Sequence, residues 1–373
     1  MPRPEVEEIY TGLSPLVSII ILNYNGANYV QRCLRRVLST DYPNFEIIVV
    51  DNASLDRSID TIIQLLSNCA RPYKIIKNDT NYGFAEGNNI GLAAAHGEYI
   101  VFLNNDTEVD RFWLRELMRV ASLDPTVGVI QSKLLWLSDH RILDSAGDYI
   151  DHYGSAFRRG GEWREVDAGQ YDNVEEVFSA RGAAMLVKRK VLDEIGPFDP
   201  KFFLTLEDID LCWRARLAGY KVIYVPTSIV YHQCPCSSNS LLRMYHAEKN
   251  PPALLIKNYG FPNLLRYLTI RILIYSVAIL KSLFEGFAST SRMNVFLTRL
   301  RAATWVITHL RYILRQRSIC QYRVRRVPDT QITRFMLNTT LKEYTWFLVR
   351  SGKAERLRME AARHYFDRGY TRH

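Results

Sequence analysis

The first 125 residues alternate between short apolar runs and stretches with helical spacing. Apolar, β-branched runs occupy residues 17–22, 45–50, 73–76 and 99–103. Each is nearly continuous rather than alternating, as expected of strands buried on both faces of a parallel sheet. Between them, Val30, Cys33, Leu34, Val37 and Leu38 follow helical spacing, with Arg32, Arg35 and Arg36 on the other side. Ile59, Ile62, Ile63 and Leu66 repeat the pattern, as do Trp113, Leu114, Leu117, Met118 and Ala121. Repeated units of this kind predict an open α/β sheet. From 126 to 175 the pattern weakens into polar, glycine-containing sequence, which predicts loops or an antiparallel extension. Strands at 183–187 and 221–225 then flank a helix at 207–218. Beyond Pro251 and Pro252 the rhythm gives way to long apolar helical stretches mixed with arginines. Two regions are therefore expected, 1–250 and 251–373.

Composition sharpens that division. Residues 251–373 hold 22 Lys+Arg against 6 Asp+Glu, a balance of +16, which leaves −7 on the first 250 residues of a chain whose net charge is +9. The halves are thus expected to do different jobs. A basic chain invites a nucleic-acid reading, but no zinc finger or RNA-recognition signature supports it, and no nucleic-acid partner is expected. Hydrophobic content of 47% and charged content of 23% exclude wholesale disorder. The six cysteines are scattered singly apart from Cys234 and Cys236, which fits a reducing cytoplasm. The opening MPRPEVEEIY has no basic region followed by an apolar run, so no signal peptide is expected.

Ligands of open α/β sheets bind outside the carboxyl ends of the strands. The first run leads into Asn23, Tyr24 and Asn25, the second into Asp51, Asn52, Ala53 and Ser54, and the fourth into Asn104, Asn105, Asp106 and Thr107. Such residues also make good turns and caps, but three sets on one edge favour a site. The segments VSIIILNYNG, EIIVVDNASLD, NYGFAEGNNIG and YIVFLNNDTEV, in that order, resemble the motifs of the inverting glycosyltransferase family two, and LEDIDLCWRARLAGYKVIYVP resembles its acidic catalytic motif. The resemblance covers roughly residues 15–250 and is nearest the rhamnosyltransferase-like subgroup. It implies a GT-A nucleotide-diphospho-sugar transferase fold, an α/β fold with a Rossmann-like mixed sheet, here followed by a helical appendage.

The resemblance also implies roles. Asp51 would bind the base or ribose of the donor, alongside Asn23, Tyr24, Asn25, Asn52, Ser54, Asn81, Gly83, Asn105 and Arg181. Asn104-Asn105-Asp106 occupies the place of the family's Asp-x-Asp metal motif, so Asp106 would carry the ligation of Mg²⁺ or Mn²⁺, with His232 completing the site. Asp208 would be the general base and Glu207 would orient the acceptor. Thr205 to Asp208 also has capping-box spacing, so helix capping is the rival reading of that pair. Gly87 and Gly91 suit either close approach to the donor or helix–sheet packing. Arg214 and Arg216 are expected at the surface, with phosphate contact as the alternative. Cys234 and Cys236 near His232 do not have the spacing of common structural zinc sites.

Residues 264–284 are the most apolar stretch, but Arg266, Arg271 and Lys281 interrupt them. An interfacial helix on an anionic membrane is expected rather than a span, with a soluble subdomain or homodimer contact as the alternative. The resulting expectation is an enzyme peripheral on the inner face of the cell membrane. It would transfer one sugar, from dTDP-rhamnose or a UDP-sugar, to a glycan or lipid-linked glycan in building cell-envelope polysaccharide. The rivals are an inactive carbohydrate- or lipid-binding scaffold and a nucleotidyltransferase. LNYNGANY lacks the glycine-rich basic loop of the latter.

Overall fold

The structure is a computed structural model that describes residues 14–233, 240–287 and 289–339. Its opening half runs β1 (Val17–Asn23), α1 (Val30–Leu38), β2 (Phe45–Asp51), α2 (Ser58–Leu66), β3 (Tyr73–Lys77), α3 (Gly83–Ala93) and β4 (Tyr99–Asn104), as the apolar rhythm predicts. Next come β5 (Thr107–Val109), α4 (Trp113–Leu123), β6 (Val127–Trp136), β7 (Leu143–Ser145), β8 (Asp148–Ile150), β9 (Ala156–Arg158) and β10 (Glu175–Glu176). After β11 (Ala184–Lys188) and α5 (Arg189–Ile195), the acidic motif forms α6 (Glu207–Leu217) and the start of β12 (Lys221–His232). Helices follow: α7 (Ser240–Asn258), α8 (Phe261–Gly286), α9 (Thr290–Thr308), α10 (Leu310–Ile319), a π-helical turn at Cys320–Val324, and α11 (Asp329–Thr333).

The main sheet has the order β10-β12-β6-β11-β4-β1-β2-β3. β3, β2, β1 and β4 are parallel, β11 is antiparallel to β4 and β6, and β6 and β12 are parallel to each other. Alternate residues of β1 enter opposite cores. Ile19 and Ile21 meet α1, α2 and α4, whereas Ile20 joins the cluster containing Leu211 and Cys212 of α6. Burial on both faces explains why this strand reads as a continuous apolar run.

At 126–175 the antiparallel alternative is realised, since β6 pairs antiparallel with β11 and β7, and β8 with β9, but the start of the region belongs to the main sheet rather than to an extension of it. β6 is a ten-residue strand in the middle of the sheet, parallel to β12. Its pattern is broken by Gln131, Ser132 and Lys133, all buried but each satisfied. Gln131 Nε2 donates to Ser145 Oγ at 3.0 Å, Ser132 and Ser228 share a 2.8 Å hydroxyl contact, and Lys133 Nζ reaches Asp167 and Asp172. Likewise β12 is one twelve-residue strand whose register shifts between Val225 and Ile229, at Pro226. Proline is tolerated in a strand at such a bulge.

The residue-250 boundary falls inside α7, which contains Pro251 and Pro252 and continues to Asn258. The helical region joins the sheet through a third core, in which Ile209, Trp213 and Leu217 of α6 pack with Leu254, Leu255 and Tyr259. A buried polar network lies beside it. Lys257 Nζ is 2.9 Å from both Asp199 Oδ2 and Asp210 Oδ2, Asn258 Nδ2 donates to Asp210 Oδ1 at 2.9 Å, and Tyr312 donates to Asp199 at 2.6 Å. Arg214 and Arg216, expected at the surface, are both buried. Arg214 binds Asp210 and the carbonyls of Ile195, Gly196 and Pro197, while Arg216 binds Glu176 and the carbonyls of Val177 and Phe178. The phosphate-contact alternative fails with the surface one, since both guanidiniums are committed inside.

Removing one partner of a buried charge network strands the others. Lys257→Met should therefore lower unfolding stability by about 3–5 kcal/mol in urea titrations. Lys281→Ala, which breaks a partly exposed i,i+4 pair with Glu285, should change it by less than about 0.5 kcal/mol. A loss under about 1 kcal/mol for Lys257→Met would show that the network does not hold the two regions together.

Candidate active site

Register along the parallel strands brings the expected residues to one edge, since Asn23 lies opposite Asp51 and Leu22 opposite Asn104. Two groups form there. In the first, Asn23 is fully buried and acts as a hub. Its Nδ2 donates to Asp51 Oδ1 at 2.8 Å, Ser58 Oγ at 2.9 Å and Ser54 Oγ at 3.1 Å, and its Oδ1 accepts from Asn105 Nδ2 at 2.8 Å. Asp51 also accepts from Ser54 Oγ at 2.6 Å, so its carboxylate is fixed in place. Asn25, left-handed at φ 51°, takes Leu55 N on Oδ1, and Tyr24 is exposed beside it.

Asn52 is buried with every polar position used. Its Nδ2 donates to Asn81 Oδ1 and Gly83 O, and its Oδ1 accepts from Asn78 Nδ2 and Tyr82 N. An amide has two hydrogens and two lone pairs to give, so Asn52 ties loops together and has nothing left for a ligand. Asn81 serves the same tie. The glycines are packed: a Cβ on Gly87 would lie 2.5 Å from Leu22, one on Gly91 2.5 Å from Ile20, and one on Gly83, at φ +78°, 2.5 Å from the Phe203 ring.

The second group lines a cavity of ≈ 600 Å³ that includes Asn104, Asp106, Asp148, Arg158, Arg181, Glu207, Asp208 and His232. His232 reaches it because β12 pairs antiparallel with β5, placing His232 opposite Thr107, and because Gln233 N donates to Asp106 O at 2.9 Å. Nε2 of His232 lies 3.3 Å from Asp106 Oδ1, but that buried oxygen has no hydrogen-bond partner. Nδ1 lies 2.8 Å from Asp144 Oδ2, and Asp144 Oδ1 accepts from Arg158 Nη1 at 2.8 Å. A ring nitrogen and an orphaned carboxylate oxygen converge, with a second carboxylate behind the imidazole. That is how a histidine metal ligand is oriented. Among the described residues no three His, Cys, Asp or Glu side chains gather into a metal cage. One carboxylate and one imidazole suit a hard divalent cation that takes its other ligands from water and phosphate oxygens. Burial lowers the basicity of His232, yet Asp106 and Asp144 together raise its pKa to about 9. Cys234 and Cys236 lie outside the described residues.

The acid pair starts α6. Leu206 is the residue before the helix, left-handed at φ 66°, and no side chain caps the end. The capping-box reading is thus not realised. Asp208 Oδ2 instead accepts from Gly182 N at 3.1 Å, and Oδ1 from Ile209 N at 2.8 Å. Glu207 is buried, and its Oε2 has no partner. Burial, and then the neighbouring Asp208 carboxylate, push the Glu207 pKa up to about 8. Arg181 Nη1 donates to Asp148 Oδ2 at 3.0 Å on the same wall.

The sequence profile of Glycosyl transferase family 2 matches residues 18–143, and that of Glycosyl transferase family group 2 matches residues 99–316, more than half of the chain. The chain belongs to glycosyl transferase family 2. Its fold is GT-A. A fragment of TarS from S. aureus is similar at TM-score 0.51 over 92% of this chain and 91% of that one, with 15% identity. GalNAc-T7, solved with UDP, GalNAc and Mn²⁺, is similar at TM-score 0.54 over 84% and 59%, with 17% identity. Among curated relatives, protein y4gI of Sinorhizobium fredii is 32% identical over 59% of this chain and 24% of its own length. The poly-beta-1,6-N-acetyl-D-glucosamine synthase of Staphylococcus epidermidis is 25% identical over 59% and 50%. This family member therefore spans only a quarter and a half, respectively, of those two proteins. Glycosyltransferase AglE of Haloferax volcanii is 28% identical over 64% of this chain and 74% of its own.

Asp144, Asp148 and Arg158 are the site residues that sequence reasoning missed. The available signal was Asp144, Asp148 and Asp151 spaced among apolar residues and glycine in a segment without strand periodicity.

Glu207 gives stability a pH dependence. Glu207 at about 8 against an ordinary 4.5 keeps a proton in the folded state that the unfolded chain releases. Its contribution is thus present below 4.5 and lost as pH rises through 8. His232, raised from 6.5 to about 9, acts in the same direction between those values when no cation is bound. Metal-free protein should lose stability from pH 5 to 8.5 in urea titrations. Glu207→Gln should flatten that slope by at least about 1 kcal/mol, the worth of one pKa unit. An unchanged slope would remove the proton from Glu207.

Proposed function

We propose that this chain moves one sugar from a nucleotide-diphosphate donor onto a hydroxyl of a glycan or lipid-linked glycan, with inversion at the anomeric carbon. The observation that carries this reading is the meeting of Asp106 and His232 with Glu207 and Asp208 in one cavity. Inversion needs one displacement. The acceptor oxygen forms a bond to the anomeric carbon as the bond from that carbon to the diphosphate oxygen breaks. The acceptor proton passes to Asp208, and the nucleoside diphosphate leaves. Asp208 suits the base because Gly182 N fixes its carboxylate where it lines the cavity. Glu207, protonated and with an unsatisfied oxygen, would donate to the acceptor and orient it. Asp51, held by Asn23 and Ser54, would take the base or ribose, and Arg181 the diphosphate or acceptor. Asp106 and His232 would hold Mg²⁺ or Mn²⁺, which when bound neutralises charge on the departing diphosphate.

Purified protein should release nucleoside diphosphate from dTDP-rhamnose or a UDP-sugar in the presence of Mn²⁺ or Mg²⁺, and EDTA should stop it. Asp106→Ala should bind donor poorly even with metal added. Asp208→Asn should keep donor affinity while turnover falls by roughly 10²–10⁴. Normal turnover in Asp208→Asn would sink the assignment of the base, and full activity in excess EDTA the assignment of the metal.

We further propose that the helical region rests on an anionic membrane at its cytoplasmic face. Leu273, Val277, Leu280, Phe284 and Phe287 are exposed and recur every three or four residues, making one apolar stripe on α8 and its end. By length and composition α8 would also suffice to cross a membrane. Arg271, however, is buried in its middle and donates to Tyr153 O at 2.8 Å, so α8 is anchored to the sheet domain. The surrounding +16 balance complements anionic lipid. The protein should bind phosphatidylserine vesicles at low salt and lose them as salt rises. Val277→Glu with Phe284→Glu should abolish binding without changing donor hydrolysis in solution. A protein that ignores the vesicles but sediments as a dimer, and becomes monomeric with those substitutions, would make the stripe a dimer contact.

A further inference from the structure

The acid pair stands on a short stretch of uncommon backbone. Phe203, Thr205 and Leu206 have φ of 62°, 68° and 66°, and none is glycine. Bulky residues stay left-handed only where their surroundings over-determine them. Two elements hold this segment: the start of α3, where Phe84 N donates to Phe203 O at 2.7 Å, and Asn250, on α7. Its side chain is buried, and Nδ2 donates to Phe202 O at 3.1 Å, Leu204 O at 2.9 Å and Thr205 O at 2.7 Å. One amide group thus gathers three carbonyls within four consecutive residues, its two hydrogens shared among them. The neighbouring Lys249 Nζ reaches Lys201 O. The Phe203 ring stacks on His246, also on α7, with centroids 5.0 Å apart.

The same helix holds the far side of the pair. Seven and eight residues on, Lys257 and Asn258 bind the two oxygens of Asp210, in the first turn of α6. Glu207 and Asp208 therefore sit between two anchor points on α7, one at 202–205 and one at 210. We infer that Asn250 is a positioning residue for sugar transfer: it fixes the left-handed segment 203–206 and so sets where Asp208 and Glu207 meet the acceptor hydroxyl. This rests on the reading of Asp208 as the base. It also makes α7, the first helix beyond the sheet, part of the catalytic geometry through a residue that does not itself line the cavity.

The test uses the full chain and a double-mutant cycle. Asn250→Ala should lower kcat by about 10–10²-fold, the scale of a misplacement near 1 Å. Affinity for UDP or dTDP with Mn²⁺, read by calorimetry, should stay within about twofold, because the nucleotide-side cluster is untouched. In an Asp208→Asn background the Asn250→Ala loss should largely vanish, since a residue acting through the base has nothing left to aim. Thr205→Gly provides a second route should Asn250→Ala not fold. Glycine accepts the left-handed backbone and loosens the segment, so kcat should fall without loss of melting temperature, again non-additively with Asp208→Asn. Multiplicative losses in the two cycles, or unchanged kcat in Asn250→Ala or Thr205→Gly, would overturn the inference. If Asp208→Asn alone turns over normally, the reading of the base fails first, and the inference falls with it for that separate reason.

Discussion

The ammonium of Lys257, closed off from water between Asp199 and Asp210, is the constraint on which the relation between sheet and helices depends. A buried cation of this kind gives little net stability compared with apolar packing, but it penalises every arrangement that separates its partners. Asp210 is also held by Arg214, whose guanidinium closes on three carbonyls at the end of α5, and by Asn258. Displacing α7 would therefore uncover one cation and two carboxylates at once. The α6 helix, which carries the acid pair, is fixed by the same contacts.

From that fixed helix, the cavity separates two electrostatic tasks. On one wall, Asp106, His232, Asp144 and Arg158 form a line of alternating charge in which Asp106 Oδ1, 3.3 Å from His232 Nε2, makes no hydrogen bond. On the other, Glu207 and Asp208 lie next to each other in sequence, and burial, then the Asp208 carboxylate, pushes the Glu207 pKa up. A carboxyl group raised in this way can donate a hydrogen bond beside one that accepts. Neither wall needs a flexible loop. The first is set by the pairing of β5 with β12, the second by α6 and its hold on α7.

Legibility in the sequence followed burial type. β1, β2 and β4 announce themselves because both faces are apolar, and the polar residues that end them mark the ligand edge. β6 did not, because Gln131, Ser132 and Lys133 lie in its interior and find their partners on segments remote in sequence. The same long-range satisfaction hid Arg214 and Arg216, which looked solvated from helical spacing alone. It also hid Asp144, whose meaning comes only from a histidine 88 residues away. Within the motifs at the strand ends, residue type was readable but division of labour was not. Asn23 and Asn52 have the chemistry of ligand contacts, and the fold spends their hydrogen bonds on holding Asp51 and the loop before α3. Spacing cannot reveal how many lone pairs remain unused.

The helical region adds a geometric condition on any acceptor. Arg271 lines the cavity, whereas Leu273, Val277, Leu280 and Phe284 are exposed on the same helix. At 100° per residue, Leu273 lies 200° from Arg271, and the stripe that follows keeps close to that heading. Cavity and stripe are thus on opposite sides of α8, separated by a helix diameter of about 10–12 Å. With the stripe on a bilayer, the acid pair would stand above the lipid head groups rather than among them. An acceptor attached to lipid would then have to present its hydroxyl on a sugar or head group that reaches past α8. A hydroxyl at the bilayer surface itself would fall short. The proposed attachment would in this way be linked to the chemistry through one helix: the side of α8 that faces the sheet domain helps to shape the cavity, and the side turned away would set its height above the lipid.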